Sequence, residues 1–237
     1  MDEKHHHPHS PHQETTTNEL DQAPPNEGRN LLIAIGVIIA IIALFLASVL
    51  LYPKVVGQPL SIEELHQRNL EGKLSPEEGY IYRGYSIVKA EGLWWVSLNR
   101  FDTLVHTRLQ YGPRDVEHIP ILGSLNDSFN QGPVVYQAIN PAIQSKHYTL
   151  ALVEINSNII QGINRGIQTA CTQEDSICDN RTIVSCQNTQ GLPVIELAVG
   201  EPAKVELIGS CIKIQGQDDE LVKAAERMLY KWYGVME

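Results

Sequence analysis

Hydrophobic positions fall into three successive patterns along the chain. From Leu31 to Tyr52 the sequence reads LLIAIGVIIAIIALFLASVLLY, with no ionisable side chain before the closing tyrosine. At 1.5 Å per residue, a helix of that length spans roughly 33 Å, enough to cross a hydrocarbon layer of about 30 Å. A core helix this long keeps a polar face, which this run lacks. A cleaved signal peptide is shorter and ends on a small-residue A-x-A-like site; here Tyr52-Pro53-Lys54 follows. The pattern predicts one uncleaved transmembrane helix, residues 30–52, with Leu31 to Tyr52 against the lipid bilayer. No later run approaches the roughly 18 apolar residues of a second span, so the chain is read as single-pass.

The next pattern has period two. Tyr80–Ala90 is aromatic and β-branched, and Glu91-Gly92 is a turn dipeptide. Leu93–Asn99 alternates Trp94, Val96 and Leu98 against Trp95, Ser97 and Asn99, and Thr103–Tyr111 alternates likewise. Three antiparallel strands are expected, with Trp94 and Trp95 on opposite faces. Residues 112–147 carry several Gly and Pro and read as an irregular connection holding one short strand, Val134–Ala138. Val194–Val199, Lys204–Ile208 and Ser210–Gln215 read as further strands, separated by Gly200-Glu201-Pro202 and by Gly209.

The third pattern has the helical period. Tyr148, Leu152, Ile155, Ile159 and Ile163 form one stripe of a helix over 148–166, with Glu154, Ser157, Gln161 and Asn164 off it. Leu221, Ala225, Leu229, Trp232 and Met236 form a second stripe. Asp218-Asp219-Glu220 opens it, where the helix dipole favours acid, and Gly234 stops it. The capping box Ser61-Ile62-Glu63-Glu64 and Gly72 mark a shorter helix near 62–71, and Ser75-Pro76-Glu77-Glu78 a turn. The fold class expected is α+β: one transmembrane helix, then a single α+β domain with antiparallel sheet and two or three packed helices. The expected organisation is a disordered polar tail over 1–29, the span over 30–52, a membrane-proximal linker with a short helix over 53–79, and the domain over 80–237.

Composition adds the surroundings. The 28 acidic residues against 18 basic ones give a net charge of −10, which excludes a nucleic-acid binder that displaces counterions with clustered Lys and Arg. The tail holds His5, His6, His7, His9 and His12, a run whose neutral imidazoles offer weak binding to Ni, Zn or Cu. Four cysteines, Cys171, Cys178, Cys186 and Cys211, lie at C-x6-C-x7-C-x24-C spacing, without the close C-x2-4-C pair that zinc sites use. Two disulfides fit that spacing, and disulfides persist outside the cytoplasm. Arg29 on one side of the span and Lys54, Arg68 and Lys73 on the other favour the opposite orientation by the positive-inside rule. The cysteines outweigh so small a bias, because long domains cross largely regardless of charge. The expected placement is therefore N-terminus in the cytoplasm, C-terminal domain outside, with Asn126-Asp127-Ser128 and Asn180-Arg181-Thr182 as glycosylation sequons at Asn126 and Asn180.

Loop geometry favours the pairs Cys171–Cys178 and Cys186–Cys211. The short polar segment TQEDSI closes the first, and Cys211 projects from its strand opposite Ile212 and Ile214 to meet Cys186. No G-x-S-x-G, H-E-x-x-H, Walker A or G-x-G-x-x-G motif is present. Asp115, Glu117 and His118, after Tyr111-Gly112-Pro113, form the one dense polar cluster beside aromatics. A hydrolase-like acid and base could come from it, against the simpler reading of a solvated loop. His106 and His147 read as isolated surface residues. No catalytic residue and no cofactor is assigned.

The segments YRGYSIVKAEGLWWVSLNRFDTLVHTRLQYGPRDVEHIPI, ACTQEDSICDNRTIVSC, SCIKIQG and ERMLYKWYGVM resemble a group of uncharacterised archaeal single-pass membrane proteins, over about residues 80–237. The resemblance implies an extracytoplasmic four-cysteine domain and adds no catalytic residue. The function expected is a membrane-anchored, disulfide-stabilised binding or structural module, whose partner is an envelope protein or a small ligand.

Overall fold

The computed structural model of the chain describes residues 27–56, 60–100, 103–160 and 165–237. The histidine run His5–His12 and Ile163 lie outside them. The chain divides into two compact units, Met1–Pro59 and Leu60–Glu237.

In the first unit, α1 spans Glu27–Val56, longer at both ends than the expected 30–52. Its stretch Gly28–Leu51, 24 residues, is long and apolar enough to cross a bilayer, and none of it is buried in the protein. Leu44 and Leu50 are 71% and 70% exposed, the reverse of a core helix. Its one hydroxyl there, Ser48, donates to the Phe45 carbonyl at 2.7 Å, so the helix satisfies its own polar groups as lipid requires.

The second unit is α+β and holds two sheets. The first is an antiparallel meander of β1 (Gly79–Tyr82), β2 (Tyr85–Ala90), β3 (Leu93–Arg100) and β4 (Thr103–Leu109). The single strand expected over Tyr80–Ala90 is in fact a hairpin. Arg83 and Gly84 both take positive φ, 48° and 88°, the conformation a two-residue turn needs, and Tyr82 pairs with Tyr85. Glu91 and Gly92 repeat that geometry at 55° and 80°.

The second sheet runs in the order β5-β9-β10-β8-β6-β7, from β5 (Ile121–Leu125), β6 (Val134–Ile139), β7 (Gly166–Cys171), β8 (Val194–Val199), β9 (Lys204–Gly209) and β10 (Cys211–Gly216). It is mixed: only β9 and β10 are antiparallel, while β5–β9, β10–β8, β8–β6 and β6–β7 are parallel. Two of its strands run against the sequence reading. β5 sits in the connection read as irregular, where Gly123 at φ +84° breaks the alternation and brings its Cα against the Leu207 carbonyl. β7 begins at Gly166, where the helix was expected to end; Cys171 therefore closes a strand rather than following a helix.

Between the sheets lie α4 (Lys146–Asn158) and α5 (Asp219–Trp232), and a short turn of helix, α3 (Pro113–Val116), packs on α5. Being covered on both sides, α5 is buried well beyond the expected stripe: Val222, Ala224, Glu226, Arg227, Met228 and Tyr230 join Leu221, Ala225 and Leu229. The core accordingly draws on Ile87, Val96 and Leu109 from one sheet and Ile195, Leu197, Ile212 and Ile214 from the other. Full burial of such side chains stabilises by about 1.5–3 kcal/mol each.

The remaining helix, α2 (Ile62–Leu70), covers the other face of the meander. Its capping box is formed, with Ser61 N donating to Glu64 Oε2 at 2.8 Å and Glu64 N to Ser61 Oγ at 3.2 Å. Its Asn69 amide reaches the Tyr80 carbonyl at 3.0 Å and Ser86 Oγ at 2.8 Å.

The far face of the mixed sheet is covered in part by the 172–193 loop, which seats Val184 on Ala138, Ala170, Val194 and Cys211. Two disulfides pin it, Cys171–Cys178 and Cys186–Cys211, the pairs reached from loop geometry. Cys211 points away from the face carrying Ile212 and Ile214.

Candidate functional site

Asp115, Glu117 and His118 do not converge. Asp115 Oδ2 accepts from Gly112 N at 2.9 Å, closing the first turn of α3. Glu117 Oε1 accepts from the Tyr82 hydroxyl at 2.7 Å. His118 pairs with Glu220 at 2.7 Å on the surface, beside an open hollow that Pro120, Leu122 and Pro202 line. Each side chain is engaged by a different element, so no acid–base pair is assembled.

The histidines read as isolated are not free surface groups either. His147 Nδ1 meets Asp219 at 2.8 Å. His106 stacks on His66 of α2 with ring centroids 5.4 Å apart, shares a hydrogen bond with Ser97 at 3.0 Å and faces Glu63 at 3.3 Å. His66 is 5% exposed; its Nδ1 shares a 2.9 Å hydrogen bond with Ser86, and its Nε2 is buried without a partner among the described residues. Burial, followed by the neighbouring His106, lowers its pKa from 6.5 to about 4, against a small opposing effect of Glu63.

A concave cleft lies where β4, the edge strand of the meander, runs beside α4. This cleft measures about 550 Å³, within the size range of ligand sites. Leu93, Leu150 and Val153 supply apolar wall, and Arg108, Gln110, Glu154, Ser157 and Asn158 converge from the two elements. Glu154 Oε1 accepts from Gln110 Nε2 at 3.1 Å, and Asn158 Nδ2 approaches its other oxygen at 3.4 Å. Burial raises the Glu154 pKa; the Gln110 amide, Arg108 and Asn158 oppose the rise. Asn158 is itself fixed, because Thr107 Oγ1 and Tyr233 OH donate to its Oδ1 at 2.6 and 2.7 Å.

Behind Gln110 the backbone is locked onto α5. Glu226, 0% exposed, accepts from Gln110 N at 2.7 Å and Tyr111 N at 2.8 Å. Burial still pushes this carboxyl well above the usual range. This lock puts a rigid floor under a partly buried carboxyl, a geometry suited to binding.

Comparisons with protein-family models, with curated proteins and with solved structures find no match. The reading of this chain therefore rests on its own geometry. Sequence reasoning missed Glu154, which stood only as a polar position off an apolar stripe. Its partners Arg108 and Gln110 are 46 and 44 positions away, and no local motif links them. Cys186, Glu196 and Cys211 bring ligand atoms within 4.8 Å of one another, the one such group among the described residues. Their two sulfurs are joined, so they offer no thiolate to a metal, and Glu196 Oε2 instead accepts from Cys186 N at 2.6 Å. Asn126 and Asn180 are both exposed, as a glycosylation acceptor must be.

Proposed function

We infer that the chain is a single-pass membrane protein held by an uncleaved signal-anchor, with its N-terminus in the cytoplasm and the unit Leu60–Glu237 outside it as a disulfide-stabilised binding module. The observation that carries this reading is the presence, on one chain, of an apolar span with no burial inside the protein and of two disulfides. Disulfides last where the medium is oxidising. Binding is favoured over catalysis because Asp115, Glu117 and His118 are dispersed, while the β4–α4 cleft gathers a half-buried carboxyl, amides and an apolar wall.

The test is the thiol state in the cell. Cells are quenched and alkylated before lysis, and the protein is mapped without reduction. Peptides linking Cys171 to Cys178 and Cys186 to Cys211 are expected; four alkylated thiols would overturn the placement.

A further inference from the structure

The cleft beside β4 has a feature that a simple pocket lacks: one of its walls is the open edge of a sheet. Nothing among the described residues pairs with the outer side of β4. The phase of the ladder shows which groups are open. Ala90 and Leu93 flank a two-residue turn and so form a hydrogen-bonded pair, as do Val88 and Trp95 two residues on. Trp94, Val96 and Leu98 then bond in the other direction, to Leu109, Thr107 and Val105. This leaves the N–H and C=O groups of Leu104, His106 and Arg108 facing outward, and the last two residues line the cleft. Such a row is a template for a further strand. Three outward residues match a segment of about 5 residues, or roughly 17 Å at 3.4 Å per residue.

Side-chain chemistry narrows the occupant. The ring of Trp95, the natural platform for a sugar, already carries the Arg108 guanidinium at 5.9 Å. Leu150 and Val153, the latter 51% exposed, offer an aliphatic wall on α4. Glu154 accepts amide hydrogen bonds, and among the described residues no cation lies within ion-pair distance of it, Arg108 acting on it only from farther away. A cationic group complements it. We propose that the cleft binds an extended peptide segment of a protein partner, which pairs with the outer edge of β4, sets an aliphatic side chain on Leu150 and Val153, and brings a Lys or Arg to Glu154. This rests on the binding-module reading and gives it a partner class.

The test uses the full chain in lipid nanodiscs and a library of labelled synthetic peptides of about 8 residues, capped at both ends and read by fluorescence anisotropy. Selected binders are expected to combine one aliphatic with one basic position. N-methylation of the best binder is expected to weaken it about tenfold at alternate backbone nitrogens and to leave the intervening ones unaffected. Glu154→Gln is expected to weaken the basic peptide about tenfold and to leave its Lys→Leu counterpart unchanged. Arg108→Pro removes an outward N–H at an edge position where proline is tolerated, and is expected to weaken every binder. Should that variant misfold, the N-methyl scan on the native chain decides alone. Absence of binders, tolerance of N-methylation at every nitrogen, binding of oligosaccharides instead, or occupation of β4 by a second copy of the chain would each overturn the inference. With both disulfides intact, such a result leaves the anchored module standing, whereas four free thiols would defeat that reading itself.

Discussion

Acidification should weaken the folded unit through His66. The neutral imidazole packs under α2 with Nδ1 on Ser86, and a proton on Nε2 would meet no acceptor among the described residues. Its folded pKa is about 4, against 6.5 for the unfolded chain. Between those values the unfolded chain binds the proton and the folded one does not. The contribution is complete above pH 6.5, declines as pH falls and is lost by about pH 4, with the response flat below. At ~1.4 kcal/mol per tenfold change in proton affinity, the full effect is about 3 kcal/mol. His106 and Glu63 are the titratable groups facing the ring. The assay is urea unfolding of the full chain in micelles, followed by tryptophan fluorescence at several pH values, for the native protein and His66→Gln. Subtracting the two curves removes the carboxylates common to both. A difference that changes by about 2–3 kcal/mol between pH 7.5 and 4 is expected. Parallel curves, or a native protein that gains relative stability on acidification, would refute the reasoning.

Two further perturbations test the packing. Removing Cys186–Cys211, sequence separation 25, should cost about 3.5 kcal/mol, and removing Cys171–Cys178, separation 7, about 2.5 kcal/mol, by loop-closure entropy; denaturant melts of the two paired Cys→Ser variants would give the order. Glu226→Leu strands the Gln110 and Tyr111 N–H groups in the core and should cost about 2–5 kcal/mol in the same melts, while a loss under about 0.5 kcal/mol would show that the carboxyl carries nothing.

Much of the architecture is written in local pattern. The apolar helix α1 declares itself by an unbroken run long enough to cross a bilayer, and the meander because β3 and β4 alternate cleanly around sharp turns. α2 is legible from its capping box and the Gly72 stop. What sequence hides is set by tertiary contact. Arg83-Gly84 looks like the interior of an aromatic strand until both residues are seen at positive φ. β5 and β7 are short and glycine-bearing, and the sheet neighbours that make them strands come from distant sequence: β5 pairs with Val205 onward, β7 with Val134 onward. The burial of Glu226 and Arg227 depends on α5 having a sheet on either side, which a single stripe does not encode. The cleft has the same character, since Glu154 acquires its role from an edge strand more than 40 residues earlier.

The central claim is that the folded unit stands outside the cell, tied by α1. Protease accessibility tests it most directly. In intact cells or spheroplasts, added protease is expected to digest residues 60–237 and to spare an epitope placed in the histidine-rich tail. A protected folded unit with a digested tail would contradict the account and show that Lys54, Arg68 and Lys73, rather than the four cysteines, report the orientation.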